Sequence, residues 1–289
     1  MSQVSQVSQV SQPETAPQAG RPGREPGAPG DPDDRRLLTG VRAAAAVVVV
    51  AALAVGTLLV VSTFFKREHT ETKTFSGTVT AVRVSADVGD VRVRTSEAGE
   101  PARATAHITK AFQDPRWSAD LTGGTLEVSG DCDDDGIFFD CEVDLTVTVP
   151  AGVPVTIQSD TGDLTVTGAF ADVDARTSTG DVTVRGAAGQ VRIETDTGDV
   201  KSLSTVAQVV DADTDTGDVR LSFDNPPDRV SARTSTGDVR VVVPDDGTVY
   251  DVDTDTSTGD TTVEVVNVPD ASRTITAQTD TGDVRVTHP

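Results

Sequence analysis

Aromatic residues make up 3% of the 289-residue chain, with one tryptophan and one tyrosine. With so few rings, any interior must be thin and lined by small side chains. Histidine is limited to His69, His107 and His288, which are scattered, and no serine or cysteine has a partner at a spacing that suits nucleophilic catalysis. No glycine-rich phosphate loop occurs. Bases are scarce: 24 Lys and Arg stand against 46 Asp and Glu, for a net charge of −22. Acids and arginines cancel up to Arg42, so the excess lies after Phe65. Phosphate binding needs a basic face, which argues against nucleic acid as a partner.

What the chain has is a phrase, Thr-x-Thr-Gly-Asp, repeated down its C-terminal half. Full copies start at Thr177, Thr195, Thr214, Thr234, Thr256 and Thr279, a looser one at Ser159, and a worn one is Val88-Gly89-Asp90. The glycine–aspartate pairs are Gly162-Asp163, Gly180-Asp181, Gly198-Asp199, Gly217-Asp218, Gly237-Asp238, Gly259-Asp260 and Gly282-Asp283. Their spacing starts at 18 residues and drifts to 23, the period of a solenoid. Each copy also switches parity. Val173, Ala175, Thr177 and Thr179 share one face of an alternating strand, and after the glycine Val182 and Val184 are the apolar pair. A one-residue slip would turn the core outward unless the chain bends there, so each Gly-Asp is expected to be a corner. Val200-Lys201-Ser202-Leu203 lacks the second apolar residue in register, which predicts a local distortion.

The expected fold is therefore all-β: a single-stranded parallel β-solenoid, or β-helix, with one N-terminal transmembrane helix ahead of it. Its hand is expected to be right, as parallel crossovers nearly always are. Residues 1–36 are Ser/Gln-, Pro- and Gly-rich and read as a disordered cytoplasmic tail. Residues 43–65 form an uncharged run long enough to span a bilayer and too long for a cleavable signal. Residues 66–73 read as a linker and 74–150 as an irregular β region or cap carrying an acidic cysteine loop. Residues 151–289 are the regular repeats. Strand Val284–Thr287 has only His288 and Pro289 after it, so it is expected to present an unpaired edge for docking or self-association. Positive flanks differ little between the two sides of the span. The acidic β domain and the cysteines favour a cytoplasmic N-terminus and an extracytoplasmic C-terminal domain.

Several residues invite chemical readings. Asp160-Thr161-Gly162 and three later Asp-Thr-Gly triplets spell the aspartic-protease signature, but they recur with the solenoid period and serine replaces the aspartate at 178, 235 and 257. A corner explains them better than a catalytic pair. The corner aspartates should stack one per coil at about 4.8 Å, where carboxylates repel. Hydrogen bonds from turn N–H groups and threonine hydroxyls would offset this, and bridging divalent cations are the alternative. Asp131, Asp133, Asp135 and Glu142, with Gly136 at the turn, fit the oxygen spacing of a calcium loop, although the flanks read as strands. The competing reading is a solvated loop closed by a disulfide between Cys132 and Cys141, since two cysteines in an exported domain usually pair. A zinc site would need four ligands, and no histidine is near. No resident cofactor is expected, calcium apart.

The apolar span, the passage Val149-Pro150-Ala151-Gly152-Val153, the cysteine-bracketed loop and the serial Thr-Gly-Asp-Val repeats together carry a resemblance. The chain resembles a bacterial family of β-strand-repeat proteins common in actinobacteria and named as "putative adhesins". The likeness covers residues 74–289. It implies a repeat β fold and no catalytic residues. The expected function is a non-enzymatic, membrane-anchored cell-envelope scaffold of adhesin type with an acidic surface. Its partners would be an envelope polymer or protein, or a second copy. A calcium-dependent sensor ectodomain is the alternative.

Overall fold

The computed structural model describes residues 48, 52, 67–110, 115–132, 141–187 and 189–289. The chain divides into two units, Met1–Leu58 and Leu59–Pro289. Of the first, only Val48 and Ala52 are described, both helical. The expected tail 1–36 and the rest of the span 43–65 lie outside the described residues. Among the described residues no helix is long and apolar enough to cross a membrane.

From Arg67 onward every described element is a strand. The N-terminal part holds β1 (Arg67–Phe75), β2 (Ala81–Val88), β3 (Val91–Thr95), β4 (Ala102–Lys110), β5 (Arg116–Thr122), β6 (Thr125–Asp131) and β7 (Cys141–Val149). Regular coils follow as strand pairs: β8 (Val155–Thr161) with β9 (Leu164–Thr167), β10 (Val173–Thr179) with β11 (Val182–Arg185), and β12 (Gln190–Thr197) with β13 (Val200–Thr205). Next come β14 (Val209–Thr216) with β15 (Val219–Phe223), and β16 (Arg229–Thr236) with β17 (Val239–Val242). Two more pairs complete the chain, β18 (Asp251–Thr258) with β19 (Thr261–Val263) and β20 (Thr274–Thr281) with β21 (Val284–Thr287).

The first strands of the coils form one sheet and the second strands another, with pairing between coils parallel throughout. The register stacks like on like. Val173, Val191, Val210 and Val230 form one inward column, and Val182, Val200, Val219 and Val239 another. These side chains are almost wholly buried, so each valine removes apolar surface worth about 1.5–2 kcal/mol from water. A lone coil would leave both flanks of that face wet; stacking covers them. Thr177 ends the buried run, and Thr179 is exposed, so the strand leaves the core one step earlier than the alternation implied. At the copy that breaks the pattern, Ser202 is buried between Val184 and Leu221 with its hydroxyl unpartnered. The ladder then shifts register between Ser202 and Thr205, and Ser204 takes a positive φ of 50°.

Both ends depart from chain order. The β2/β3 coil lies between the β6/β7 coil and β8/β9, although it precedes both in sequence. Outside them, β4 and β1 add antiparallel to β7, and β5 adds antiparallel to β6. Residues 66–73, expected as a linker, therefore form most of β1 from Arg67 on; its outward and inward positions are both polar and exposed, which is why it reads as a linker. Lys73 and Trp117 tie these outer strands together: the ammonium sits 5.0 Å from the ring centroid, and the indole N–H donates to Glu71. At the other end β20/β21 is inserted between β16/β17 and β18/β19. Strand Val284–Thr287 is paired on both sides, by β17 and β19, so the edge expected there does not exist; β18 and β19 are the outermost strands instead.

Candidate functional site

The repeated phrase builds a backbone ladder. At Gly180 the chain turns with φ of 143°, and a Cβ there would sit 2.1 Å from the carbonyl oxygen of Gly162 in the coil beneath. Only glycine lets one corner rest on the next this closely. The Gly180 N–H donates to the Thr197 carbonyl of the coil above (2.9 Å). The first threonine of each phrase stays inside, and its hydroxyl donates to the preceding corner's glycine carbonyl: Thr195 to Gly180 at 3.2 Å, Thr234 to Gly217 at 2.9 Å, Thr279 to Gly237 at 3.0 Å. Ser159 holds the same place, but its hydroxyl is buried without a partner.

The aspartates form a one-way relay in which each carboxylate accepts the backbone N–H of the next aspartate. Asp163 Oδ1 takes the Asp181 N–H, Asp181 takes Asp199, Asp199 takes Asp218 and Asp218 takes Asp238, at 2.8 to 3.0 Å. Asp238 takes Asp283, and Asp283 takes Asp260. Upstream, Asp144 accepts from Asp90 and Asp90 from Asp163. The second oxygen meets a cation two residues on in several coils: Asp90–Arg92 at 2.7 Å, Asp218–Arg220 at 2.6 Å and Asp283–Arg285 at 2.6 Å. Lys201 bridges two rungs, 3.1 Å from both Asp181 and Asp199. Hydrogen bonds and bases thus offset the stacked charge.

The acidities follow. Burial would raise Asp199, but the Asp218 N–H, Lys201 and Arg220 outweigh it and hold the carboxyl below its usual value. The Asp260 N–H, and then Arg285, lower Asp283. On the outer face of the other sheet, burial pushes Asp213 up; Arg233 opposes, and Asp211, Glu194 and Asp215 reinforce the rise. That face is tiled by ion pairs across rungs, such as Arg176–Glu194 and Arg192–Asp211 at 3.2 and 3.0 Å.

Asp160, Asp196, Asp215 and Asp280 of the Asp-Thr-Gly triplets are all exposed at strand ends, one per rung, rather than converging in a cleft. Cys132 and Cys141 form a disulfide with Cα atoms 6.0 Å apart, at the ends of β6 and β7. Of the four expected calcium ligands, Asp131 and Glu142 flank that disulfide, while Asp133 and Asp135 lie outside the described residues. Among the described residues no group of three or more His, Cys, Asp or Glu is placed to hold a metal.

Asp144 is the relay member that the repeat phrase does not reveal, because Val143 stands where later corners have glycine. The signal was downstream: Asp144-Leu145-Thr146-Val147 repeats Asp163-Leu164-Thr165-Val166 letter for letter. Asn267 is another. Its side-chain amide pairs with both backbone groups of Val252, accepting at 3.1 Å and donating at 3.3 Å.

Residues 154–288 match the family model described as Toastrack DUF4097, which covers just under half of the chain and falls on the regular repeats. No curated protein matches the sequence. Among solved structures, a "putative cell adhesion protein" from Clostridium sporogenes is 9% identical, covering 77% of this chain and 100% of its own, with a TM-score of 0.40. A "putative adhesin" from Bacteroides fragilis is 14% identical over 77% of this chain and 97% of its own, at 0.37. A "putative lipid binding protein" from Parabacteroides distasonis is 9% identical over 76% and 97%, at 0.26. With TM-scores this low, none of these likenesses decides fold or function.

Proposed function

We propose that the chain is a non-enzymatic cell-envelope scaffold of adhesin type, its β-solenoid carried outside the membrane on a single span at 43–65 with residues 1–36 in the cytoplasm. One observation supports it most: the repeated acids of the corners have their oxygens tied to neighbouring N–H groups and bases rather than gathered in a cleft. Residues engaged this way hold rungs together and leave little free for catalysis. The Toastrack match on the repeats is consistent with a structural module. Protease shaving of intact cells checks the topology. Loss of the β domain with survival of a protected N-terminal fragment is expected; a β domain resistant until the cells are lysed overturns the reading.

A second reading keeps a calcium-binding regulatory loop, because the disulfide brings the two flanks of 131–142 side by side. Titration calorimetry with Ca²⁺ separates the two. Heat that disappears in Asp133→Asn with Asp135→Asn favours the sensor, and no heat favours the plain scaffold.

A further inference from the structure

The two ends of the solenoid are not alike: antiparallel strands close the first, and the second ends on β18 and β19, where among the described residues only the short segment 266–268 lies beyond, against the start of β18. Alternate residues of a parallel strand bond to opposite neighbours. Asp251 donates inward to the Arg273 carbonyl, and Val252 donates the other way, to the Asn267 side chain. The same alternation turns the backbone groups of Thr254 and Thr256 to the open side. On β19 the Glu264 N–H bonds inward to Val286, so those of Thr261 and Val263 also point out. The aspartate relay stops here too, at Asp260.

The side chains agree with the backbone. Val249, Val263, Val266 and Val268 are 41%, 37%, 51% and 40% exposed, and apart from Val48 they are the exposed large hydrophobic residues among those described. Thr254 and Val263 face the core beside Ala277 and Val286, yet no further coil covers them. Charge is one-sided: from Val241 to Ser272 there are eight acids and no lysine, arginine or histidine. An edge that must stay unpaired is normally guarded by inward-pointing charge or lysine, and this one has neither.

The charge also selects the occupant. A second copy docking edge on edge would set these acids against themselves, and a copy docking end on end would meet the antiparallel cap. We propose that the β18–β19 edge is a strand-addition site for an extended basic segment of another polypeptide, alternating apolar with Lys or Arg. It joins in parallel as the next rung. Its apolar side chains cover Thr254 and Val263, its bases lie beside Asp253 and Asp255, and one of its N–H groups caps the Asp260 carboxylate. This goes beyond the scaffold reading and stands whether or not the chain is anchored in a membrane.

The probe is a labelled synthetic peptide of residues Arg229–Val242, which carries exposed Arg229, Arg233 and Arg240 opposite inward Val230, Val239 and Val241. With the full chain in detergent, saturable binding by anisotropy is expected, with new amide-exchange protection confined to 254–263. Asp253→Lys with Asp255→Lys, both at exposed positions, should weaken binding at least tenfold while leaving the melting curve in place. A peptide with its three arginines changed to glutamate should not bind. No binding, equal binding of the two peptides, or protection at β1 or β5 overturns the proposal. Concentration-dependent protection of 254–263 without peptide would make the occupant a second copy and overturn it as well.

Discussion

A carboxylate every 18 to 23 residues on a stacked fold would be a liability if each were free. Here each but Asp260 becomes an acceptor, and at Asp199 and Asp283 the proton affinity records the arrangement. Asp283 sits below its ordinary value of 3.8 because it accepts the Asp260 N–H and pairs with Arg285. A carboxyl lowered in the folded state contributes stability that is complete above the ordinary value and disappears as pH falls through the lowered one. Asp283→Asn keeps the acceptor and deletes the charge. The denaturation midpoint of the wild type should exceed that of the variant by a constant amount from pH 7 to about pH 4, and the gap should close below that. A gap unchanged down to pH 2.5 would contradict the assignment. Gly180→Ala is the harsher change: it forces a side chain into a positive φ and against the Gly162 carbonyl, and should cost about 3 kcal/mol by chemical denaturation. A loss under about 1 kcal/mol would mean that the corner can shift.

Coils were legible in the sequence because their chemistry repeats. Thr-x-Thr-Gly-Asp names an inward hydroxyl, a left-handed corner and an acceptor, and all three are where the phrase puts them. Strands without an apolar face were not legible. β1 is polar on both sides, and β5 buries only Ala119. Nor did the sequence reveal which coil neighbours which, since 251–263 and 274–287 spell nearly the same phrase. A subtler signal was present. The inward positions of 274–287 are Ile275, Ala277, Val284 and Val286, all fully buried, whereas those of 251–263 include Thr254 and Thr261. The coil with the wetter inner face lies outside. Deleting 274–287 should therefore cost 251–263 its amide-exchange protection while β8 to β15 keep theirs, and protection retained in 251–263 would show that it pairs directly with β16.

At the scale of the molecule, contacts run from rung to rung, so stability should behave as a sum over neighbours. A second copy of Val173–Gln190 spliced in after Gln190 repeats a register that already joins β10 to β12 residue for residue. The lengthened chain should fold with a melting temperature equal to or above the original, and a chain that fails to melt cooperatively would count against an additive stack. The cap at the first end and the disulfide at Cys132–Cys141 lie at least one coil away from that splice and should be undisturbed.

Placing 274–287 inside, between two coils made before it, also fixes an order of events. A ribosome delivers 251–263 first, at a time when its only permanent neighbour has yet to emerge. That coil must either wait in solution or rest briefly on β16 and β17 in a borrowed position. The later segment then has to part them and slide between. Assembly at this end is consequently not vectorial: the acidic coil reaches its final seat only after the later segment has entered.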